Sequence, residues 1–372
     1  MKETLTVPDS LLPADGRFGA GPSRIRRAQV DALANSTELG TSHRAAPVKA
    51  RVASIREGLT ELFSLPDGFE IAIGNGGATA FWAVAAASLI DRKAKCAVFG
   101  EFGAKCAADW AAAPWLSVDT VEAPPGSLSE GHDDTAQADV YAYPQNETST
   151  GVASPLYRGA PGDALTVVDA TSIAGATTVD WDMVDTYYFS PQKCFGSDGG
   201  LWLAIMSPSA VSRAKKLNGA EGRYMPSFLN LTSALKQSAA NQTVNTPAIA
   251  SLILLDEQVK WLLDEGGLPV ASRNSRAGAD LVASWAQSRP WAELFVKDPQ
   301  WRSPVTTTVD LAPEVSAREL SDVLRNSGIV DVDGYRKLGR NQLRISTFPS
   351  VPLADVEALL DSIDWVVERL LG

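Results

Sequence analysis

Lys193 follows a run of aromatic residues, Tyr187–Phe189, and precedes a glycine-rich turn. This pattern predicts a buried strand that ends just before the lysine. An ammonium group in such a place costs free energy unless it has a partner or a function. A desolvated lysine has a lowered pKa and can form a Schiff base with a carbonyl compound. The alternative, left open by this residue alone, is a solvated lysine on a surface loop.

The stretch GNGGAT, residues 74–79, lies between a predicted strand and a predicted helix. Glycines at this junction allow backbone N–H groups to surround an anion at the helix N-terminus. The spacing matches neither GxGxxG nor a Walker A motif, so a nucleotide-binding loop is not indicated. A tight turn without a ligand is the second interpretation of this stretch.

Asp169 ends the apolar stretch ALTVVD, and Phe102 follows the next predicted strand after GNGGAT. A carboxylate in the place of Asp169 either caps a helix or meets a buried cation. Together with the phosphate cradle and Lys193, these residues supply the parts that hold pyridoxal 5′-phosphate. The aromatic ring stacks on the cofactor, the carboxylate faces its pyridine nitrogen and the amine reacts with its aldehyde. The freed amine of Lys193 is then the base that moves the substrate Cα proton.

Predicted strands alternate with predicted helices over the first 250 or so residues. This alternation favours an α/β fold with a mostly parallel sheet between helices. Ligands of open α/β sheets bind beyond the carboxyl ends of the strands. Because residues 74–79, Phe102, Thr148, Asp169 and Lys193 all follow predicted strands, we expect them to share one edge of the sheet.

After about residue 250 the pattern changes to one long helix, shorter strands and two amphipathic helices. A chain of 372 residues is long enough for two domains. We expect a large cofactor-binding domain at residues 16–255. Residues 256–372 are expected to form a smaller α+β domain, joined by an N-terminal arm of residues 1–15.

The composition excludes several classes of function. The formal net charge of −11 argues against binding to nucleic acid, so anionic ligands require local clusters of arginine. Cys96, Cys106 and Cys194 show no CxxC spacing, which predicts neither a metal site nor a disulfide and favours the cytoplasm. No apolar stretch is long enough to span a membrane, and the N-terminus lacks the apolar core of a signal peptide.

Six motifs occur along the chain in this order: SHRAAP, GNGGAT, YPQNETSTG, VVDATS, SPQKCFG and NQTVNTPA. With them the chain resembles the phosphoserine aminotransferases, which are class V, fold-type I pyridoxal-phosphate enzymes. The resemblance runs from about residue 16, where FGAGPS is similar to the family's opening, to the C-terminus. It is strongest to the actinobacterial branch.

This resemblance implies a large domain with a mostly parallel seven-stranded sheet and a homodimer with shared active sites. The implied reaction is reversible transfer of an amino group between L-glutamate and 3-phosphohydroxypyruvate, giving O-phospho-L-serine and 2-oxoglutarate. This is a step of serine biosynthesis. A related four-carbon substrate of vitamin B6 synthesis is also compatible with the sequence.

The resemblance also implies the site residues, with Lys193 as the catalytic residue and no metal. The other implied cofactor-binding residues are Gly77, Ala78, Thr79, Phe102, Thr148, Asp169, Thr171, Gln192, Asn245 and Thr246, the last two from the other subunit. The implied substrate-binding residues are His43, Arg44, Tyr335, Arg336 and Arg344. Arg344 is expected to hold the substrate carboxylate. The chain departs from the family at Tyr335, where relatives often have histidine, and near Ala78, where some have arginine.

Three alternative functions share the fold. A cysteine desulfurase needs a nucleophilic cysteine well after the lysine, and no cysteine follows Cys194. A serine–glyoxylate or alanine–glyoxylate type aminotransferase has no need for the cluster of anion-binding residues. A catalytically silent binding protein is disfavoured by the presence of Lys193, Asp169 and Thr148.

Overall fold

The structure, a computed structural model, describes residues 5–128, 138–159 and 162–372. The first four residues of the predicted N-terminal arm therefore lie outside the described part. The helices are α1 (Arg27–Ala34), α2 (Ala46–Leu62), α3 (Ala78–Ser88), α4 (Glu101–Ala111), α5 (Pro208–Leu217), α6 (Leu231–Ala239), α7 (Ile249–Asp264), α8 (Gly267–Gln287), α9 (Ala317–Asn326) and α10 (Leu353–Leu371).

The strands are β1 (Glu70–Asn75), β2 (Lys93–Val98), β3 (Ser117–Glu122), β4 (Val140–Pro144), β5 (Asn146–Glu147), β6 (Val152–Ala153), β7 (Leu165–Asp169), β8 (Thr186–Phe189), β9 (Leu201–Met206), β10 (Ala292–Leu294), β11 (Thr306–Leu311) and β12 (Gln342–Ser346). Seven of these strands form one sheet in the order β1-β9-β8-β7-β4-β2-β3. Strand β9 runs antiparallel to both of its neighbours, and the other neighbouring pairs are parallel. The predicted α/β fold with a mostly parallel seven-stranded sheet is confirmed.

Helices cover both faces of this sheet, as the apolar sequences of its central strands require. Every residue of β4, β8 and β9 is buried, which is typical of strands covered on both sides. One core contains side chains of α2 and α7, and the other contains side chains of α3, α4, α5 and α6. This packing on both faces fixes the carboxyl ends of the parallel strands along one edge of the sheet.

The C-terminal part contains an antiparallel sheet in the order β10-β11-β12, with α8 packed against β10 and β11 and α10 packed against α8 and α9. Its apolar core also includes Val7 and Phe18 from the N-terminal arm. Residue 255 lies inside α7, whose buried side chains join the core of the large sheet. Helix α8 contributes side chains to the core of the large sheet and to the C-terminal core, so we propose that the boundary between the two domains lies within α8.

Helix α8 is absent from the elements that the sequence predicted. It begins with Gly267 and has Pro269 in its first turn, where the missing N–H of proline has no intrahelical acceptor in any case. Within the described residues, no helix is long and apolar enough to cross a bilayer. The same residues contain no group of histidine, cysteine and carboxylate side chains suited to a metal ion.

Candidate active site

Lys193 lies in the turn after β8, and its amine faces the N-terminal arm. The Nζ atom donates a hydrogen bond to the carbonyl oxygen of Ala20 at 2.5 Å. It lies 6.0 Å from the centroid of the Phe102 ring. Burial, followed by the positive charge of Arg344, lowers the pKa of Lys193 to about 8. A lysine with such a pKa is suited to act as a nucleophile and as a base near neutral pH.

The N-terminal arm also holds the backbone around this lysine. The Ser23 N–H donates to the Gln192 carbonyl at 2.9 Å, and the Ser23 hydroxyl donates to the Lys193 carbonyl at 2.5 Å. Gly21 has a φ of +121°, and a Cβ there would lie 2.3 Å from Lys193 Nζ. Only a residue without a side chain leaves the lysine in this position.

Asp169 ends β7, and its carboxyl group lines a small recess with Phe102 and Tyr188. Its Oδ1 atom accepts a hydrogen bond from the Thr171 N–H at 2.9 Å. Burial raises the pKa of Asp169, and the hydrogen bonds from Thr171 oppose that effect. A carboxylate in a recess walled by aromatic rings is stabilised when it meets a cation.

Glu147 positions Phe102 by capping the first turn of α4. Its carboxylate is fully buried and accepts hydrogen bonds from the N–H groups of Phe102 and Gly103, each at 3.1 Å, and from the Ser149 hydroxyl at 2.7 Å. A carboxylate is stabilised at a helix N-terminus by the orphan N–H groups there. A Cβ at Gly100 would collide with Glu147, which explains the glycine before the helix.

The turn between β1 and α3 leaves the start of α3 uncapped. Gly77 is the residue before the helix, and no side chain forms a cap hydrogen bond there. Ala78 and Thr79 open the helix, where N–H groups have no intrahelical acceptor. A Cβ on Gly77 would lie 3.5 Å from the Ser190 hydroxyl, so the turn lies close to the segment that leads to Lys193.

These features fit pyridoxal 5′-phosphate. The uncapped helix start suits a phosphate, and the half-buried side chains of Thr171 and Gln192 carry a hydroxyl and an amide NH₂ group that can donate hydrogen bonds to one. Phe102 and Asp169 line one small recess, and Lys193 supplies an amine 6.0 Å from the Phe102 ring. The site thus has groups suited to the phosphate, to the ring and to the aldehyde of the cofactor.

A cleft of about 500 Å³ with a strongly basic wall is lined in part by Ala20, whose carbonyl accepts the hydrogen bond from Lys193. We call it the cationic cleft; its lining includes Lys105, Tyr335, Arg336, Lys337 and Arg344, together with residues 19–22 of the arm and two acids, Asp331 and Asp333. Its size is typical of a site for a small molecule.

Arg344 lies on β12 with its guanidinium turned toward the large sheet. One Nη atom donates to the Thr148 carbonyl at 3.3 Å, while Nε is buried without a partner among the described residues. The guanidinium lies 5.4 Å from the Tyr335 ring, and that ring lies 6.0 Å from the ring of Phe102. Burial lowers the pKa of Arg344. An arginine with free donors in this position can bind a carboxylate in bidentate fashion.

A second group of predicted residues meets at the start of the α3 turn. His43 Nδ1 lies 3.0 Å from the Thr246 hydroxyl, and Arg44 donates to the Gln242 side chain at 2.8 Å. The Asn75 side chain donates to the Thr246 carbonyl at 2.7 Å, which ties this group to β1. Arg44, Asn245 and Thr246 are exposed in the single chain.

The structure therefore divides the predicted residues into two sets. Phe102, Thr148, Asp169, Lys193, Tyr335 and Arg344 are linked by the contacts above, whereas His43, Arg44 and Thr246 form a separate exposed group. Sequence reasoning missed Lys105, Lys337 and the arm residues around Gly21. Two features of the sequence could have indicated these residues. They are the i,i+4 spacing of Glu101 and Lys105 and the glycines of FGAGPS.

Comparison with known proteins shows which protein family and which relatives the chain is similar to. The sequence model of the aminotransferase class-V family matches residues 24–336. The chain is 51% identical to the putative phosphoserine aminotransferase of Mycolicibacterium vanbaalenii over the full length of both chains. It is 50% identical, again over both full lengths, to the phosphoserine aminotransferase of a Nocardioides species.

The fold is similar to that of solved aminotransferases. The structure of a phosphoserine aminotransferase from Cytophaga hutchinsonii superposes with a TM-score of 0.87 at 24% identity. The match covers 94% of this chain and 99% of that one.

Proposed function

This chain belongs to the aminotransferase class-V family, and we propose that it transfers an amino group reversibly between L-glutamate and 3-phosphohydroxypyruvate. The products are 2-oxoglutarate and O-phospho-L-serine, so the enzyme serves serine biosynthesis. The observation that carries the proposal is the proximity of Lys193, with its pKa of about 8, to Arg344 at the cationic cleft. The names of relatives about half identical over the full chain support the choice of substrates.

Pyridoxal 5′-phosphate, when bound, supplies an aldehyde that accepts the amino group and a ring that withdraws electrons from the substrate Cα. Gly77, Ala78 and Thr79 would bind its phosphate through the N-terminus of α3, with Thr171 and Gln192 as further donors. Phe102 would pack against its ring. Asp169 would pair with its ring nitrogen and stabilise a proton there.

Lys193 would hold the cofactor through its amine, and the same amine would serve as the base that moves the substrate Cα proton. Its low pKa leaves a larger fraction of the amine unprotonated at neutral pH than for an ordinary lysine. The Ala20 carbonyl accepts a hydrogen bond from this amine and limits its movement. Thr148 lies on the same side, with its carbonyl bonded to Arg344.

Arg344 binds the carboxylate that every substrate of the reaction shares. Its free Nε and its position on β12 support this role. Arg336 and Tyr335, on the same wall of the cleft, face the distal anionic group. Charge-assisted pairs of this kind give both orientation and affinity.

We also propose that the protein is a homodimer in which each active site is shared. Arg44, Asn245 and Thr246 are exposed in the single chain. His43 is half-buried, and its Nε2 atom is buried without a partner among the described residues. The second subunit would complete these contacts and bring the group to the neighbouring cofactor phosphate. A cytoplasmic location stays a prediction.

A glyoxylate-type aminotransferase is the second candidate function. It uses the same cofactor chemistry, and a small unphosphorylated oxo acid does not require the basic wall of the cleft. The basic wall therefore favours a substrate with two anionic groups. A silent binding protein does not require the lowered pKa of Lys193.

The experiment is a half-reaction screen of the purified holoenzyme. The cofactor-bound protein is mixed with single amino acids and its absorption is followed, and the aminated form is then mixed with oxo acids. We expect L-glutamate and O-phospho-L-serine to react, and Lys193→Ala to be inactive. Reaction with alanine and glyoxylate but not with O-phospho-L-serine would refute the proposed substrates.

A further inference from the structure

Two lysines of the cationic cleft have no assigned role in the site described above. Lys105 lies on α4, and Lys337 lies in the 3-10 turn Arg336–Leu338. Both reach one oxygen of Glu101: Lys105 Nζ lies 3.1 Å from Oε1, and Lys337 Nζ donates to the same atom. Helix α4 and the C-terminal part of the chain thus meet through a carboxylate between two ammonium groups.

This arrangement leaves excess positive charge. The hydrogen bond from Lys337, and next that from Lys105, lower the pKa of Glu101, so the group holds two cations and one anion. The hydrogen bond to Glu101 raises the pKa of Lys105, which keeps that ammonium charged. The two acids of the cleft, Asp331 and Asp333, share one arginine, since Arg325 lies 2.8 Å from Asp333 and 3.8 Å from Asp331. Arg325 balances one of their two negative charges, while Arg336 and Arg344 add two further positive charges to the lining.

Lys105 also lies close to the reacting centre. Lys105 Nζ is 5.6 Å from the centroid of the Phe102 ring, and Lys193 Nζ is 6.0 Å from the same centroid. Tyr335 adjoins both the Phe102 ring and Arg344. A short substrate with its carboxylate on Arg344 and its reacting carbon at Lys193 therefore has its far end within the basic wall.

We propose that Lys105 and Lys337, held in place by Glu101, bind the distal phosphate of the substrate beside Arg336 and strengthen the preference for phosphorylated substrates. This inference rests on the proposed function and names the residues that recognise the phosphate. A phosphomonoester carries up to two charges and three acceptor oxygens, so it can accept from both ammonium groups at once. The γ-carboxylate of glutamate carries one charge and two oxygens, so the second lysine adds less to its binding free energy.

The test compares Lys105→Met, Lys337→Met and the double variant as holoenzymes with a matched control. Lys297→Met removes the same charge from an exposed ion pair with Glu293 that lies outside the cleft. Calorimetry measures binding of 3-phosphoglycerate and of glycerate, which share a carboxylate and differ in the phosphate. Neither compound has an amino or oxo group, so the readout is independent of turnover.

We expect each single variant to weaken 3-phosphoglycerate binding about fivefold and the double variant about thirtyfold. Binding of glycerate and the Lys297→Met control should change less than about twofold. Unchanged phosphate binding in the double variant, or equal losses for both compounds, would overturn the inference.

The same variants separate this inference from the proposed function. If wild type aminates its cofactor with O-phospho-L-serine, kcat/KM for that half-reaction should fall more in the double variant than kcat/KM for L-glutamate. If wild type does not react with O-phospho-L-serine, the proposed function fails, and the calorimetry still decides whether the two lysines bind phosphate.

Discussion

Replacing Gly21 by alanine puts a methyl group into the space that the Lys193 side chain occupies. The new Cβ would lie 2.3 Å from Nζ and 2.4 Å from both Cδ and Cε. Carbon atoms in ordinary contact are about 3.5–4.0 Å apart, so the end of the lysine must move by roughly 1 Å or more. The backbone at Gly21 has a φ of +121°, which an L side chain rarely adopts.

Two effects follow from this geometry. The unfavourable φ costs on the order of 1–3 kcal/mol of folding free energy. Movement of the lysine breaks its hydrogen bond to Ala20, worth about 0.5–1.5 kcal/mol, and misplaces the reacting amine. A misplacement of about 1 Å in an active site can lower the rate about a hundredfold.

Gly328→Ala is the matched control. Gly328 has a φ of +86°, but no atom lies within 4 Å of a Cβ built there. This variant should lose a similar amount of stability without affecting Lys193. Urea unfolding measures the free energy of unfolding of both variants, and single-turnover absorbance measures the glutamate half-reaction.

We expect both variants to be destabilised and only Gly21→Ala to react about a hundredfold more slowly. A folded Gly21→Ala variant that reacts within about threefold of wild type would refute the reasoning, because the lysine would then not depend on the space at Gly21. Equal rate losses in the two variants would assign the effect to general destabilisation instead.

Asp169→Asn is expected to keep the cofactor bound but to slow the half-reaction about ten- to a hundredfold, because a charge-assisted hydrogen bond contributes about 1.5–3 kcal/mol. An unchanged rate in stopped-flow measurements would contradict the role of Asp169 at the ring nitrogen. In the apoenzyme, the pKa of Lys193 is lowered from 10.5 to about 8, so the unfolded chain binds more protons between these values. The free energy of unfolding relative to Lys193→Met should therefore rise by on the order of 2 kcal/mol from about pH 8 to about pH 10, and a flat difference in urea titrations would argue against a desolvated amine. Refolded mixtures of Lys193→Ala and Arg44→Ala subunits should regain part of the activity, and inactive mixed dimers would show that Arg44 does not act across the interface. Arg344→Ala should lower kcat/KM at least about thirtyfold in both half-reactions. Arg336→Ala should lower kcat/KM more for the phosphohydroxypyruvate half-reaction than for the glutamate half-reaction. Equal losses of kcat/KM in the two half-reactions would exclude a selectivity of Arg336 for phosphate.

Local sequence was enough to predict the parts of the site that follow strands. The alternation of apolar strands and helices predicted the mostly parallel sheet, and parallel strands bring their carboxyl ends to one edge. Asp169, Phe102 and Lys193 each follow such a strand, so their approximate places were determined by patterns of about ten residues. The turn GNGGAT was equally local, and the structure has an uncapped helix start there.

The sequence was less informative about residues whose roles arise from distant partners. Lys105 and Lys337 resemble ordinary surface lysines, because their meeting at Glu101 depends on how the C-terminal part packs beside α4. Helix α8 was missed because its first turn contains glycines and a proline, although tertiary packing buries one of its faces.

The sequence by itself predicted the fold class, which the structure confirms, because strand and helix patterns are short-range. The cofactor chemistry and the role of Lys193 as the reacting lysine were predicted from residue types and motifs, and they stay proposals. Only the tertiary structure decided the surroundings of that lysine. Gly21 and Ala20 are more than 170 residues from Lys193 along the chain, yet they set the space and the hydrogen bond of its amine. Desolvation and the charge of Arg344, which lower the pKa of Lys193, likewise exist only once the strands, the arm and β12 have packed together.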